Sequence, residues 1–206
     1  MGLVVLEREN NLLFKRKSRK IQDLITSFFA EFLEGFFPDI ARSVNFDYVT
    51  FLPHHEHLVD HSNLVVAQTE INGRKTIIFV CLEREDKPSE TVDQQMYQIF
   101  SMLHDTYQMP IIPILMFQNG TVRNQSYTIS LPEFDVLTFR YLTVQVHKHK
   151  WPEYVKHNNV VAAVLLCELD FSEGERFQLH AEILKMTIRM HQIENEERLL
   201  YDYFSE

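Results

Sequence analysis

Residues 63–85 read NLVVAQTEINGRKTIIFVCLERE and have the pattern of a β-hairpin that ends in acidic side chains. The apolar run that starts at Leu64 leads into Asn72-Gly73, the dipeptide that most favours a two-residue hairpin turn. The second strand, Thr76 to Leu82, is almost wholly apolar, which indicates a strand buried on both faces of a sheet. We therefore expect an α/β fold built around this hairpin.

Acidic residues follow the second strand directly. Glu83 and Glu85, with Arg84 between them, place carboxylates at the edge of the predicted sheet. Carboxylate oxygens in such a place can hold a hard cation such as Mg²⁺, which is the layout of a metal-dependent phosphodiesterase. Such a site also requires a carboxylate from the paired strand, but the residue at that position is Asn63, which is neutral. The sequence thus predicts a cation site that lacks one charge.

Size and composition limit the classes of protein that this chain can be. Its 206 residues suffice for one sizeable core with an appendage, and a formal charge of −9 argues against a basic nucleic-acid coat protein. Cys81 and Cys167 lie in apolar sequence, which argues against a disulfide framework. The sequence shows neither a signal peptide nor an apolar run of the roughly 18 residues that span a membrane. We expect a cytoplasmic protein that does not bind membranes.

The spacing of apolar residues divides the chain into a helix, three strands, a helix and a strand, followed by further strands and a helical tail. We expect a basic extension over residues 1–19, an α/β core over 20–150 and a helical region over 151–206 packed on the core. The predicted helices are Ile21–Phe37, a segment from Pro88 to Pro110, Val160–Leu169 and Phe177–Phe204. Besides the hairpin, the predicted strands are Val44–Leu52, Ile111–Phe117, Tyr127–Leu131 and Val136–Val146.

Several short motifs occur in an order and at a spacing that resemble one known family. They are Phe28–Pro38, Phe51-Leu52 with Glu56, the hairpin, Pro110–Ile114, Leu137–Tyr141 and Asn159–Ala163. From about residue 20 to residue 200 the chain resembles the Rpn family, the recombination-promoting nucleases of the PD-(D/E)xK nuclease superfamily, which are also described as transposase-like. The resemblance implies a PD-(D/E)xK-like core, divalent-metal DNA cleavage and a prokaryotic role near mobile elements or phage conflict.

The resemblance also implies which residues would form the active site. The family's aspartate falls on Asn63, its glutamate on Glu83, and its lysine or glutamine on Glu85. An amide oxygen gives a cation no charge, and a carboxylate at Glu85 cannot oppose developing negative charge as a lysine does. Asp60 could replace the lost aspartate only if the strand register shifts, because it would otherwise face the opposite side. In this superfamily a first-helix glutamate can approach the metal, so Glu31 is either a peripheral metal ligand or, as is more usual for such a residue, a solvent-exposed one.

Two polar clusters have alternative interpretations. The basic run ahead of the first helix either contacts DNA phosphates or forms a solvated surface, and it consists of Lys15, Arg16, Lys17, Arg19 and Lys20. A predicted loop carries potential transition-metal ligands, although such residues are more often simply polar, and these are His54, His55, Glu56, His57 and His61. In the tail, Tyr201, Tyr203 and Phe204 either contact another subunit or fold back on the domain.

Two functional hypotheses follow from these residues. The first is a nuclease-fold protein with a degraded metal site that acts by binding a protein partner or a second copy, and that needs no cofactor. The second is an active DNA endonuclease that depends on Mg²⁺ or Mn²⁺, with Glu83, Glu85 and either Asp60 or Glu56 around the ion. Neutral Asn63 favours the first hypothesis, and the sequence leaves open whether the protein is an enzyme.

Overall fold

The computed structural model describes residues 18–52, 63–83, 89–117, 125–145, 150–167 and 171–189. Within them the protein is a mixed α/β protein that separates into two compact units. One unit lies within Met1–Arg42 and Val146–Glu206, and the other is formed by Ser43–Gln145. The predicted boundaries at residues 19 and 150 stay a prediction.

Seven helices occur in the described part of the chain, and seven strands. The helices are α1 (18–27), α2 (Phe29–Phe36), α3 (Pro38–Ala41), α4 (Ser89–Tyr107), α5 (Trp151–Lys156), α6 (Val160–Cys167) and α7 (Glu173–Arg189). The strands are β1 (Val44–Phe51), β2 (Leu64–Ile71), β3 (Arg74–Glu83), β4 (Ile111–Phe117), β5 (Ser126–Ser130), β6 (Asp135–Arg140) and β7 (Leu142–Gln145).

The unit Ser43–Gln145 contains a mixed five-stranded sheet in the order β1-β2-β3-β4-β7. The pairs β1-β2 and β2-β3 are antiparallel, whereas β3-β4 and β4-β7 are parallel. The predicted hairpin is confirmed, with Ile71 paired to Arg74 and with positive φ angles at Asn72 (51°) and Gly73 (75°). This backbone suits the right-handed twist of the strands, and Asn-Gly adopts it with little strain.

Helix α4 packs on one face of this sheet. Its buried residues recur at helical spacing, and they are Val92, Met96, Ile99 and Leu103. They belong to one apolar cluster with Phe79 and Cys81 of β3, and the last eight residues of β3 are all buried. The sequence predictions of a doubly buried strand and of a helix between Pro88 and Pro110 are confirmed.

In the other unit, α6 is apolar along its whole length and almost wholly buried. Asn159 begins this helix, since its Oδ1 accepts a hydrogen bond from the Ala162 N–H at 3.0 Å. Gly35 of α2 lies so close that an added Cβ would be 1.8 Å from Asn159 Nδ2. A glycine at this position therefore allows α2 and α6 to pack closely.

Two predicted elements are divided in the structure. The single helix expected from Ile21 to Phe37 is broken at Phe28, where φ is −122° and ψ is 43°. Its predicted end is confirmed, because Phe37 precedes a proline and leaves the helical region before Pro38 begins α3. The prediction of strand structure from Val136 to Val146 is confirmed for β6 and β7, but one continuous strand is wrong, because the chain leaves the strand conformation at Tyr141 and the two strands belong to different sheets. Val146 lies outside the described residues.

Candidate functional site

The end of the β2-β3 ladder carries the two predicted site residues that the structure describes in this unit. Asn63 directly precedes β2 and is buried. Its carbonyl oxygen accepts a hydrogen bond from the Leu82 N–H at 2.8 Å, which extends the ladder by one residue. Its side-chain Nδ2 donates to the Leu82 carbonyl oxygen and lies 3.9 Å from Cys81 Sγ. The amide of Asn63 thus links the start of β2 to the end of β3.

Glu83 is the last residue of β3 and is only 1% exposed. It pairs with Phe117 in the parallel ladder between β3 and β4. Residue alternation along β3 places Glu83 on the same face as Cys81 and Phe79, which is the face covered by α4. A carboxyl group in such a place is rare in a folded protein and marks this strand end as the candidate site.

A second buried polar pair lies in the same apolar cluster, and sequence reasoning missed it. The Tyr141 hydroxyl donates a hydrogen bond to Asp93 Oδ1, and both residues are buried. Asp93 follows Val92 in α4, and Tyr141 occupies the position between β6 and β7. One signal was present in the sequence, since an acidic residue that follows an apolar residue in a predicted helix is a candidate for a buried hydrogen bond. Its partner is 48 residues away, so local spacing could not identify it.

The remaining predicted site residues are either in the other unit or outside the described residues. Glu31 lies in the first turn of α2 and is half-buried, and Arg19 and Lys20 lie in α1. The other predicted metal, catalytic and basic residues lie outside the described ranges, and these are Asp60, Glu56, Glu85, Lys15, Arg16 and Lys17. The histidine-rich loop and the tail aromatics lie outside them as well. The structure therefore brings Asn63 and Glu83 to one strand end.

The geometry at residue 63 does not fit the metal site that the resemblance implies. In the described ranges, no group of three or more His, Cys, Asp or Glu side chains is placed to hold a metal ion. Mg²⁺ is usually held through one or two carboxylates, whereas Asn63 offers one neutral oxygen. An aspartate at this position would set a carboxylate oxygen against the Leu82 carbonyl oxygen. The side chain at residue 63 hydrogen-bonds the main chain of β3 and does not form half of a metal site.

A scan of family models, a search of curated proteins and a search of solved structures each found no match to this chain. Among the helices of the described residues, none is long and apolar enough to cross a membrane.

Proposed function

We propose that this chain is an Rpn-type protein with a PD-(D/E)xK nuclease fold and a degraded metal site, and that it acts by binding a partner. Its role would be regulatory, inhibitory or structural within an assembly linked to mobile elements or phage conflict. The observation that carries the proposal is the hydrogen bond from Asn63 Nδ2 to the Leu82 carbonyl oxygen.

This hydrogen bond requires a side chain at residue 63 that can donate a hydrogen. A carboxylate cannot donate a hydrogen to a carbonyl oxygen, whereas an amide does so without burying a charge. A divalent cation beside residue 63 would also find an oxygen with no formal charge, which leaves Glu83 as the anionic ligand that the described residues supply at this strand end. Asn63 therefore suits a protein that keeps the strand end closed better than one that binds Mg²⁺ there.

The order of elements supports the nuclease-fold part of the proposal. A helix precedes three antiparallel strands, and α4 then connects β3 to β4, which is parallel to β3. This is the order that the resemblance implies for a PD-(D/E)xK core. In that arrangement the carboxyl end of β3, where Glu83 lies, corresponds to the family's metal-binding edge.

One observation favours the second hypothesis, an active endonuclease that depends on Mg²⁺ or Mn²⁺. Glu83 has kept a carboxylate at the end of a buried strand, although such burial is costly. A carboxylate that only filled space would be replaced by an apolar residue at little cost. Both hypotheses must therefore be tested together.

A plasmid-nicking assay with Mg²⁺ and with Mn²⁺ separates the two hypotheses. We expect no metal-dependent cleavage by the wild type, and a gain of cleavage in Asn63→Asp. The matched control is Asn45→Asp, which makes the same change at an exposed position in β1 and should leave cleavage absent. Metal-dependent cleavage by the wild type that is abolished in Glu83→Ala would overturn the proposal and establish the endonuclease.

A further inference from the structure

Helix α7 carries apolar residues on two opposite sides. Leu179, Ile183 and Met186 are buried and share one side, which packs towards α5 and α6. Phe177 and Leu184 lie on the other side, where they are 77% and 62% exposed. Seven residues separate them, which is close to two helical turns, so they form one stripe. A helix that is apolar on two sides normally buries both.

A groove runs beside this stripe, between α5 and α7. It has a volume of about 560 Å³ and is lined by Trp151, Pro152 and Val155 of α5 and by Ala181 of α7. Phe177 forms part of its wall, and Lys156 and Lys185 also line it. Gln178 and Glu182 of α7 complete the lining, so the groove has apolar residues of α5 on one side and mostly polar residues of α7 on the other. The same surface therefore presents a protruding aromatic side chain and a partly apolar recess large enough to receive one.

We propose that this surface binds the same surface of a second copy, with the two α7 helices antiparallel across a two-fold axis near Ala181. In this dimer, Phe177 of each copy enters the α5-α7 groove of the other copy. There it lies next to Leu184 of that other copy. We call this surface, defined by Phe177, Ala181, Leu184 and the groove, the α7 face.

Self-association explains this surface better than a different partner does. In a two-fold interface each subunit must supply both the protrusion and the recess, and the α7 face has both. The 17 residues of α7 extend for about 25 Å, enough to form the centre of a dimer interface. The distribution of charge along α7 agrees with an antiparallel arrangement, because Glu173 and Glu175 lie in its first turn and Lys185, which pairs with Glu182 of its own chain, lies towards its other end.

Another exposed apolar surface among the described residues lacks this self-complementarity. The β5-β6 hairpin has four exposed apolar residues, which are Ile129, Leu131, Phe134 and Val136. Their exposed neighbours Glu133 and Asp135 are both acidic, so two such hairpin tips would repel each other. Phe134 is therefore a matched control for Phe177, since both are exposed phenylalanines in different units.

Sedimentation equilibrium of the full chain tests the proposal. We expect a reversible dimer for the wild type and for Phe134→Glu. In Phe177→Glu and in Leu184→Glu the dissociation constant should rise by about 100-fold or more, because each substitution acts twice across the axis. Circular dichroism should show that both variants stay folded, since the two side chains are exposed. A monomeric wild type, or a dimer that Phe134→Glu dissociates and Phe177→Glu does not, would overturn the proposal.

Disulfide cross-linking tests the axis itself. In a Cys167→Ser background, Ala181→Cys should form a covalent dimer under mild oxidation, because each Ala181 lies next to its own copy. Tyr48→Cys in the same background is the control, since Tyr48 is exposed in the other unit, and this variant should form no covalent dimer under the same conditions. Equal cross-linking of both variants would overturn the two-fold arrangement. The outcome is independent of the cleavage assay, because the α7 face shares no residue with Asn63 and Glu83.

Discussion

The end of the β2-β3 ladder and the outer side of α7 depart from the usual distribution of polar and apolar groups in opposite directions. Asn63 and Glu83 are polar residues buried in a sheet, whereas Phe177 and Leu184 are apolar residues exposed on a helix. Buried polar groups require partners within the chain, and exposed apolar stripes gain stability from partners outside it. The contrast separates a site that is closed by its own main chain from a surface that remains available to another molecule.

The two regions also differ in where their polar side chains find hydrogen-bond partners. At the ladder end, the Asn63 amide donates to the Leu82 carbonyl oxygen, and in the apolar cluster between α4 and the sheet the Tyr141 hydroxyl donates to Asp93. On α7, Lys185 pairs with Glu182 at the surface, where such an ion pair adds little stability. Substitutions should therefore reduce the free energy of unfolding strongly in the first region and weakly in the second.

The largest expected effect comes from removing a buried phenylalanine, and it is compared with the removal of an exposed one. Phe79→Ala removes a fully buried ring from β3 and should lower the free energy of unfolding by about 4 kcal/mol. Phe134→Ala removes an equal ring from the exposed hairpin tip and should change it by less than about 0.5 kcal/mol. Urea unfolding at one protein concentration measures both values. Similar losses in the two variants would contradict the expectation that burial decides the cost of removing a side chain.

Asn63→Asp should have the next largest effect. It removes a donor and buries a carboxylate against a carbonyl oxygen, which should lower the free energy of unfolding by roughly 3 kcal/mol without metal. Exposed Asn45→Asp should change it by less than about 0.5 kcal/mol. Mn²⁺ should restore part of the stability in Asn63→Asp alone, because a bound cation stabilises the folded state. Thermal unfolding with and without Mn²⁺ measures this, and equal losses in both variants would refute the role given to Asn63.

Tyr141→Phe sharpens the comparison within the buried region. It removes the hydroxyl that donates to buried Asp93 and should lower the free energy of unfolding by about 2 kcal/mol. Tyr127→Phe is the control, because Tyr127 stacks on Tyr97 in the same cluster and is half-buried. Its substitution should cost less than about 0.5 kcal/mol. Urea unfolding measures both values. An unchanged free energy of unfolding in Tyr141→Phe would show that the hydrogen bond between Tyr141 and Asp93 does not stabilise the fold.

Ser172→Ala should have the smallest effect, and it concerns α7. Ser172 and Glu175 form a capping box, since the Ser172 hydroxyl and N–H contact Glu175 Oε2 at 2.8 and 3.2 Å. The substitution should lower the free energy of unfolding by about 1 kcal/mol. It should also weaken the proposed dimer, because the first turn of α7 carries Glu173 and leads to Phe177. Urea unfolding measures the loss of stability, and sedimentation equilibrium without denaturant measures the dissociation constant of the dimer. A variant that loses the expected stability but keeps the wild-type dissociation constant would show that the first turn of α7 does not contribute to the dimer interface.

The sequence predicts the local elements well, because their signals lie within a few residues of one another. Asn72-Gly73 fixes the hairpin, and the apolar spacing of α4 fixes its buried face. It does not predict the break at Tyr141, since that residue leaves the strand pattern to meet Asp93 in a distant helix. The sequence likewise predicts a missing charge at Asn63, but the bond to Leu82 depends on the geometry of the paired strand.

Helix α7 shows a second limit of sequence patterns. Its apolar residues occur on two sides, and periodicity alone cannot tell which side packs inside the unit. Only the tertiary contacts of Leu179 and Ile183 with the helical unit show that Phe177 is on the outer side. A pattern that fits one amphipathic helix poorly is therefore a sign of two contact surfaces.

Titration calorimetry of Mn²⁺ into the wild-type protein and into Glu83→Ala tests the role of Asn63 most directly. If the amide of Asn63 has replaced a metal-binding carboxylate, the two titrations should be indistinguishable, while Asn63→Asp should gain a site that depends on Glu83. Stoichiometric Mn²⁺ binding by the wild type that disappears in Glu83→Ala would contradict the degraded site.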